Sequence, residues 1–261
     1  KMKRYRCKCC LKTFSQATFH KCYRQKKRKL NPRIKELLCS GVSQRRIAKL
    51  LKISRVTVAR KLVFLGIQAR IKNKKDLDSM PQVYQWQFDD QETIEHTKCK
   101  PLSIIAAVEK EHRKILGFQV SIMPAKGHLA KISRKKYGIR PDHRSLGRNR
   151  LFKDILHKVS PYAEIISDDS PHYPRSVKKW FPHAIHKKTL GKRGCVTAQG
   201  ELKKTGYDPI FSINHTFAMF RANINRLIRK TWCTTKNISR LEDHLAIYVE
   251  YHNNQLTKPL N

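Results

Sequence analysis

The apolar positions of the chain follow two different periods, and each period predicts one kind of element. Residues 32–39, 44–51 and 54–64 have apolar side chains at helical spacing, and Ser43 and Ser54 are suitable N-caps for the second and third segments. A short turn joins these two segments, and Gly66 is expected to end the third helix. Three short helices joined in this way predict a helix-turn-helix over residues 30–66, and the alternative is an ordinary three-helix bundle with a solvated face.

The pattern becomes strand-like in the second part of the chain. Residues 83–88, 102–108 and 115–123 are apolar runs with short connections, which predict an antiparallel meander. A helix is predicted over residues 151–159, and residues 163–167 form a fourth apolar strand. This order of elements is that of a ribonuclease H-like α/β fold, with a mixed sheet flanked by helices. Such a fold would place the first and fourth strands side by side at the centre of the sheet.

Two further helices and one irregular segment complete the predicted organisation. Residues 67–82 lose the periodicity and contain Met80-Pro81. They are therefore expected to be a linker between the predicted helix-turn-helix of residues 30–66 and a second domain, residues 83–261. A helix is predicted to begin near Ile210, and residues 241–251 predict a final amphipathic helix that packs on the core. The apolar stripe of the first of these helices is Ile213, Phe217, Phe220, Ile224 and Ile228.

Charge indicates the class of partner. Lys and Arg number 57 against 19 Asp and Glu, which gives a formal net charge of +38 and favours a polyanion over a small-molecule substrate. No apolar run approaches the ~18–20 residues that a membrane span requires. The eight cysteines lack the regular spacing of a secreted disulfide framework. We therefore expect a nucleic-acid-binding protein of the cytoplasm.

The first 29 residues contain a candidate zinc-ligating group. Cys7 and Cys10 have the C-x-x-C spacing of half a zinc ribbon, and His20 and Cys22 are candidates to complete a tetrahedral Zn²⁺ site. The spacing of the second pair is tighter than usual. The alternative is that these are reduced cysteines of an incomplete module.

Doubled acids follow the first and fourth predicted strands. Asp89-Asp90 follows the first strand, and Asp168-Asp169 follows the fourth. If these strands are neighbours, Asp89 and Asp168 come together, and carboxylates are the hard oxygen ligands that Mg²⁺ prefers. Two such ions can activate the attacking oxygen and stabilise the leaving oxygen in phosphodiester transfer. The alternative is that each doubled acid is a loop or capping residue at the end of a strand.

Several further motifs stand at the predicted strand ends and helices. They are Asp89-Asp90-Gln91, Asp168 followed by Tyr173, Ile213-Asn214-His215, Phe220-Arg221, Asn225-Arg226-Leu227-Ile228-Arg229-Lys230-Thr231, Ser43-Gln44-Arg45-Arg46-Ile47-Ala48 and Ser54-Arg55-Val56-Thr57-Val58. These motifs resemble those of bacterial insertion-sequence transposases of the DDE class, in particular the insertion-sequence-one-like type. The resemblance covers nearly the whole chain, although the upstream cysteine pair of the family's zinc ribbon is not in this sequence.

The resemblance implies a catalytic and metal-binding set of Asp89, Asp168 and Asn214, with Mg²⁺ or Mn²⁺ as cofactor. Asn214 stands where the family implies a third acid, although related families include members with Asn. An amide oxygen can coordinate Mg²⁺ without adding negative charge, so the second ion should bind more weakly. The alternatives are that Asn214 caps the start of its helix, or that Glu201 or Asp208 supplies the third ligand.

The resemblance implies a transposase that binds terminal inverted repeats and joins DNA strands in the bacterial nucleoid, as a homodimer or larger assembly on element ends and target DNA. The main alternative is a decayed or domesticated transposase that only binds specific DNA sequences; a nuclease or junction resolvase on the same fold is a third. The side chains expected to contact DNA are Arg45, Arg46, Arg55, Thr57, Arg60, Lys61, Lys187, Lys188, Arg221, Arg226, Arg229 and Lys230.

Overall fold

The computed structural model describes residues 3–189, 208–228 and 233–256. It begins with a small hairpin of β1 (Tyr5–Arg6) and β2 (Thr13–Phe14), followed by short 3-10 turns. Three helices come next: α1 (Asn31–Leu38), α2 (Gln44–Leu50) and α3 (Arg55–Ser79). The predicted caps are confirmed, because Ser43 Oγ accepts from the Arg46 N–H at 3.3 Å and Ser54 Oγ accepts from the Thr57 N–H at 3.1 Å.

Helix α3 corrects two expectations. The helix does not end at Gly66, and residues 67–79 are helical rather than irregular. Gly66 lies where α3 crosses α8, and a Cβ atom there would stand 2.6 Å from Asp243 Cβ. Pro81 explains the actual end, because the residue before a proline is disfavoured in helical conformation. The glycine therefore serves close packing between helices, and the proposed division into domains stays a prediction.

The central sheet has five strands: β3 (Val83–Ile94), β4 (Pro101–Glu109), β5 (Ile115–Ile122), β6 (Val159–Asp168) and β7 (Ile185–Thr189). Their order is β5-β4-β3-β6-β7. Strands β3, β4 and β5 pair antiparallel, whereas β6 runs parallel to both β3 and β7. The predictions of an antiparallel meander and of side-by-side first and fourth strands are therefore confirmed.

Helices flank the sheet on both faces: α4 (Leu129–Tyr137), α5 (Arg144–Ile155), α6 (Tyr173–Trp180), α7 (Phe211–Asn223) and α8 (Ile238–Tyr251). Neither α4 nor α6 was predicted from the sequence. Helix α7 begins where predicted but ends at Asn223, so Ile224 and Ile228 do not extend its helical stripe. The chain is thus a mixed α/β protein with a five-stranded mixed sheet between helices.

Two apolar clusters lie on opposite faces of this sheet. On one face, Trp86 and Phe88 of β3 pack with Phe152 of α5 and Tyr173 of α6. The cluster on the other face joins α1, α2, α3, α7 and α8 to β4, so the N-terminal helices share a core with the sheet. None of the helices in the three described ranges is both long and apolar enough to cross a membrane.

Candidate metal and DNA site

The register of the adjacent parallel strands β3 and β6 aligns Asp89 with Asp168. The pairing of β3 with β6 runs to Gln87 opposite Ile166, and the same register continued by two residues sets Asp89 beside Asp168. Neighbouring strands are ~4.8 Å apart, and residues that are level in a parallel pair point to the same face. Strand β3 itself continues to Ile94, so Asp89 follows the end of the parallel pairing rather than the end of the strand.

Tyr173 and Ser103 hold the carboxylates of Asp89 and Asp90. The Tyr173 hydroxyl lies 3.1 Å from Asp89 Oδ1 and 3.0 Å from Asp90 Oδ2, so its single proton serves both acceptors. Asp90 Oδ1 also accepts from Ser103 Oγ at 2.6 Å, and Asp89 Oδ1 accepts from the Asp90 N–H at 2.7 Å. These contacts fix the two side chains at the sheet.

Arg148 places a buried positive charge behind Asp90. Its side chain is 5% exposed, and Nη1 lies 3.9 Å from Asp90 Oδ2. The Arg148 Nε donates to Ser176 Oγ at 2.9 Å, and its guanidinium stands 5.1 Å from the centre of the Tyr173 ring. Arg148 could not be recognised from the sequence, because nothing in the local pattern of α5 distinguishes it from the other basic residues. Its contacts leave Asp90 compensated, whereas neither Asp89 nor Asp168 forms an ion pair within the described residues.

The pKa values of Asp89 and Asp168 reflect the lack of an ion pair to either carboxylate within the described residues. Burial, and then the Asp168 carboxylate, raise the pKa of Asp89 to about 7. Burial also raises the pKa of Asp168, with Asp90 and Asp169 adding to the effect. Two neighbouring carboxylates with raised pKa values are costly to ionise together without a cation. The donor set therefore fits a hard divalent ion with Asp89 and Asp168 as ligands.

Asn214 lies at the start of α7, which is attached to β3 through Gln87. The Gln87 Nε2 donates to the Pro209 carbonyl at 2.9 Å, and its Oε1 accepts from the Ile213 N–H at 3.1 Å. Asn214 itself is exposed and donates to Asp208 Oδ2 at 2.9 Å. The structure thus brings together two alternatives for the third ligand, Asn214 and Asp208, while Glu201 lies outside the described residues. No group of three ligand atoms within 4.8 Å of one another includes Asp89 or Asp168 in the described part of the chain.

At the turn between β4 and β5, the described residues contain one group of three ligand atoms within 4.8 Å of one another. It consists of Glu109, Glu111 and His112. The Glu109 carboxylate accepts from the Glu111 N–H at 2.8 Å and the His112 N–H at 2.5 Å, so its contacts are those of a turn-stabilising side chain.

The candidate zinc ligands are not gathered. Among the described residues, no three of Cys7, Cys10, His20 and Cys22 have ligand atoms within 4.8 Å of one another. Backbone N–H groups of Cys10 and Cys9 lower the pKa of the Cys7 thiol, whereas His20 Nδ1 accepts from the Cys22 N–H at 3.0 Å. Zinc binding by these residues stays a prediction.

The side chains expected to contact DNA differ in their surroundings. Arg45, Arg46, Arg55 and Arg60 are exposed on α2 and α3. Others have intramolecular partners: Thr57 contacts its cap Ser54, Lys187 pairs with Glu164, and Lys188 pairs with Asp169. Arg221 and Arg226 are half-buried, and Arg229 and Lys230 lie outside the described residues.

Lys61 corrects the expectation of an outward DNA contact. It is 3% exposed, and its Nζ donates to Gln25 Oε1 at 2.8 Å and to the Lys26 carbonyl at 2.8 Å. The residue faces the N-terminal segment because α3 packs on it, which helical spacing within α3 alone does not reveal.

A comparison with known protein families finds none that matches this chain, and a comparison with curated proteins finds no similar sequence.

Proposed function

We propose that the chain is a DNA transposase of an insertion sequence, with a ribonuclease H-like catalytic part and a helix-turn-helix reader. The observation that carries the proposal is the parallel pairing of β3 with β6, whose register continued by two residues aligns Asp89 with Asp168. Burial and the charge of Asp168 raise the pKa of Asp89, which marks an uncompensated charge. A strand order of β5-β4-β3-β6-β7 supports it, because it puts the two acid-bearing strands at the centre.

Asp89 and Asp168 would hold Mg²⁺ or Mn²⁺, with Asn214 or Asp208 as the third oxygen ligand. The bound ions would polarise the scissile phosphate and lower the pKa of an attacking water or 3′-hydroxyl. The chain's own residues orient this chemistry: Tyr173 and Ser103 fix the carboxylates, and Arg148 places a positive charge 3.9 Å from Asp90 Oδ2. No protein nucleophile is required, since water and then a DNA hydroxyl attack directly.

The net charge and the exposed arginines support duplex DNA as the partner. Arg45, Arg46, Arg55 and Arg60 would contact phosphates and base edges of the terminal repeats. Joining two element ends to a target requires both ends in one complex, so a homodimer or larger assembly is part of the proposal.

The experiment uses a supercoiled plasmid that carries the DNA flanking the reading frame. The unaltered chain is expected to nick and join strands with Mg²⁺ or Mn²⁺ and to be inactive in EDTA. Asp89→Ala and Asp168→Ala should abolish both reactions, whereas Asp169→Ala is the matched control, because Asp169 is exposed and pairs with Lys188. Full activity of both variants would refute the assignment, and hydrolysis without joining would indicate a nuclease.

A second candidate is a DNA-binding protein that no longer cuts. The contact between Asn214 and Asp208 favours it, because this amide is already bonded to a side chain that precedes α7 and brings no charge. Sequence-specific binding without cleavage, together with activity gained in Asn214→Glu, would support this candidate. Cleavage by the unaltered chain would exclude it.

A further inference from the structure

Helix α4 presents a continuous basic surface that the transposase motifs do not include. Residues 113–141 contain eight Lys and Arg and no Asp or Glu. Lys131, Arg134, Lys135 and Lys136 are all exposed. Lys131, Arg134 and Lys135 stand three and four residues apart, so they lie on one stripe of the helix. None of these three forms an ion pair with the residues that the structure describes, whereas Lys187 and Lys188 both do.

The opposite face of α4 is attached to the body of the protein. Ser133 is 4% exposed, and its Oγ donates to the Cys99 carbonyl at 2.7 Å. Tyr137 is half-buried, with Lys100 Nζ 4.7 Å from the centre of its ring. This less polar face is covered, and Ile132, 52% exposed, is a single large apolar side chain on the outer part of α4. One such residue does not make the broad apolar face with which a helix inserts into a lipid surface. The outward stripe suits a hydrated polyanion instead.

The segment that carries α4 begins and ends beside the candidate carboxylates. Before α4, Lys126 Nζ lies 2.5 Å from Glu92 Oε1, and Glu92 is three strand residues, or about 10 Å, beyond Asp89. After α4, Arg144 is held by Asp142, with Nη2 2.6 Å from Oδ2. This hydrogen bond, and then the charges of Asp142, Asp90 and Glu92, raise the pKa of Arg144. The helix itself is about 14 Å long. Both ends of this segment are thus attached near Asp89 and Asp90, and the helix between them is short compared with one turn of duplex, about 34 Å.

We propose that the exposed stripe of α4, made of Lys131, Arg134 and Lys135, binds the phosphate backbone of duplex DNA close to the candidate metal site. This inference rests on the proposed function and adds a binding surface to it. Arg55 and Arg60 of α3 would select the sequence, whereas α4 would hold the duplex next to Asp89 whatever its sequence.

The test compares two triple variants of the full chain. Lys131→Gln/Arg134→Gln/Lys135→Gln removes the stripe, and Lys74→Gln/Lys75→Gln/Lys153→Gln removes the same charge from exposed positions at the other end of the sheet. Binding of a duplex of about three turns is measured by fluorescence anisotropy in EDTA over a range of salt concentrations. The slope of log affinity against log salt is negative, and its magnitude is expected to decrease by about 2 to 3 in the α4 variant and by less than about 1 in the control.

The possible outcomes distinguish the proposed α4 surface from the proposed catalytic activity. Equal slopes in the two variants would refute the role of α4, even if the unaltered chain cleaves plasmid DNA. A loss confined to the α4 variant, without any cleavage by the unaltered chain, would support the α4 surface and refute the catalytic proposal. Failure of the unaltered chain to bind duplex would refute both. Binding to phosphatidylserine vesicles that is lost in the α4 variant, with duplex binding unchanged, would assign the stripe to a membrane surface.

Discussion

The hydroxyl of Tyr173 lies 3.1 Å from Asp89 Oδ1, which joins the start of α6 to the central strand β3. Tyr173 is buried, with its ring 4.8 Å from that of Phe88. Burial and the three nearby aspartates raise the pKa of this phenol well above its usual range, so the hydroxyl remains a donor at any pH at which the protein is folded. Tyr173 therefore orients the candidate metal ligand without serving as a base.

Tyr173→Phe should weaken metal binding and strand cleavage by about 10- to 100-fold, because groups that orient a metal ligand commonly have effects of that size. The concentration of Mg²⁺ needed for half-maximal cleavage is the measurement. Tyr162→Phe is the control, because Tyr162 is 76% exposed on β6. An unchanged Mg²⁺ requirement in Tyr173→Phe would show that the hydroxyl does not position Asp89.

Asp89→Asn should stabilise the metal-free protein at pH 8. The folded-state pKa of Asp89, about 7, lies above its unfolded value near 4. Between these values the folded chain retains a proton that the unfolded chain has released, so the free energy of unfolding falls as pH rises through this window. The effect is up to about 4 kcal/mol above pH 7, and it vanishes below pH 4.

Urea denaturation in EDTA at pH 8 and pH 4 measures this difference, with Asp169→Asn as the control. Adding Mg²⁺ at pH 8 should then raise the stability of the unaltered chain more than that of Asp89→Asn, because a bound ligand stabilises the folded state. A variant that is less stable than the unaltered chain at pH 8 in EDTA would contradict the burial of an uncompensated charge.

Much of the sheet could be predicted because its strands are continuous apolar runs. The runs at residues 102–108 and 115–123 appear as β4 and β5 almost unchanged. Asp89 and Asp168 were found because acids directly after such runs are conspicuous in a basic chain. Their surroundings were not, since Arg148, Ser103 and Tyr173 reach Asp90 from α5, β4 and α6, and only the folded chain brings these elements together.

The long α3 was missed for a different reason. Its second half faces the rest of the protein at helical spacing through Ala69, Asn73 and Leu77, but Asn73 is polar and donates to the Ala246 carbonyl of α8. Residues 67–79 therefore lack a continuous apolar stripe. The segment nevertheless consists largely of good helix formers, and Pro81 marks its end. Intrinsic propensity was the better guide here than hydrophobic periodicity.

Gly66→Ala should destabilise the protein, although the same change in an ordinary helix stabilises it by roughly 0.5–1 kcal/mol. The added Cβ would stand 2.6 Å from Asp243 Cβ, and Asp243 is itself held by Arg70 Nη1 at 2.7 Å. Such overpacking costs about 1–3 kcal/mol, measurable by thermal or urea unfolding. Ile67→Ala, at an exposed position one residue away, is the control. A stabilised Gly66→Ala variant would show that α3 and α8 can separate freely.

Arg60 and Lys61 are neighbours in α3 with opposite expected roles. Arg60 is exposed, whereas Lys61 is buried and donates to Gln25 Oε1 and to two main-chain carbonyls, those of Lys26 and Lys27. Lys61→Met leaves these acceptors without their donor and should lower the free energy of unfolding by about 1–3 kcal/mol. Arg60→Met should change stability by less than about 0.5 kcal/mol.

Arg60→Met and Lys61→Met should also differ in the salt dependence of DNA binding. Arg60→Met is expected to reduce the slope of log affinity against log salt by about 0.9, the value for one lost phosphate contact. Lys61→Met should leave that slope unchanged at temperatures where the variant is folded, because its charge is directed to residues 25–27 rather than to solvent. The pair thus tests the assignment of the two faces of α3 with one charge removed in each case. A reduced slope in Lys61→Met with unchanged stability would reverse that assignment and return Lys61 to the DNA-binding surface.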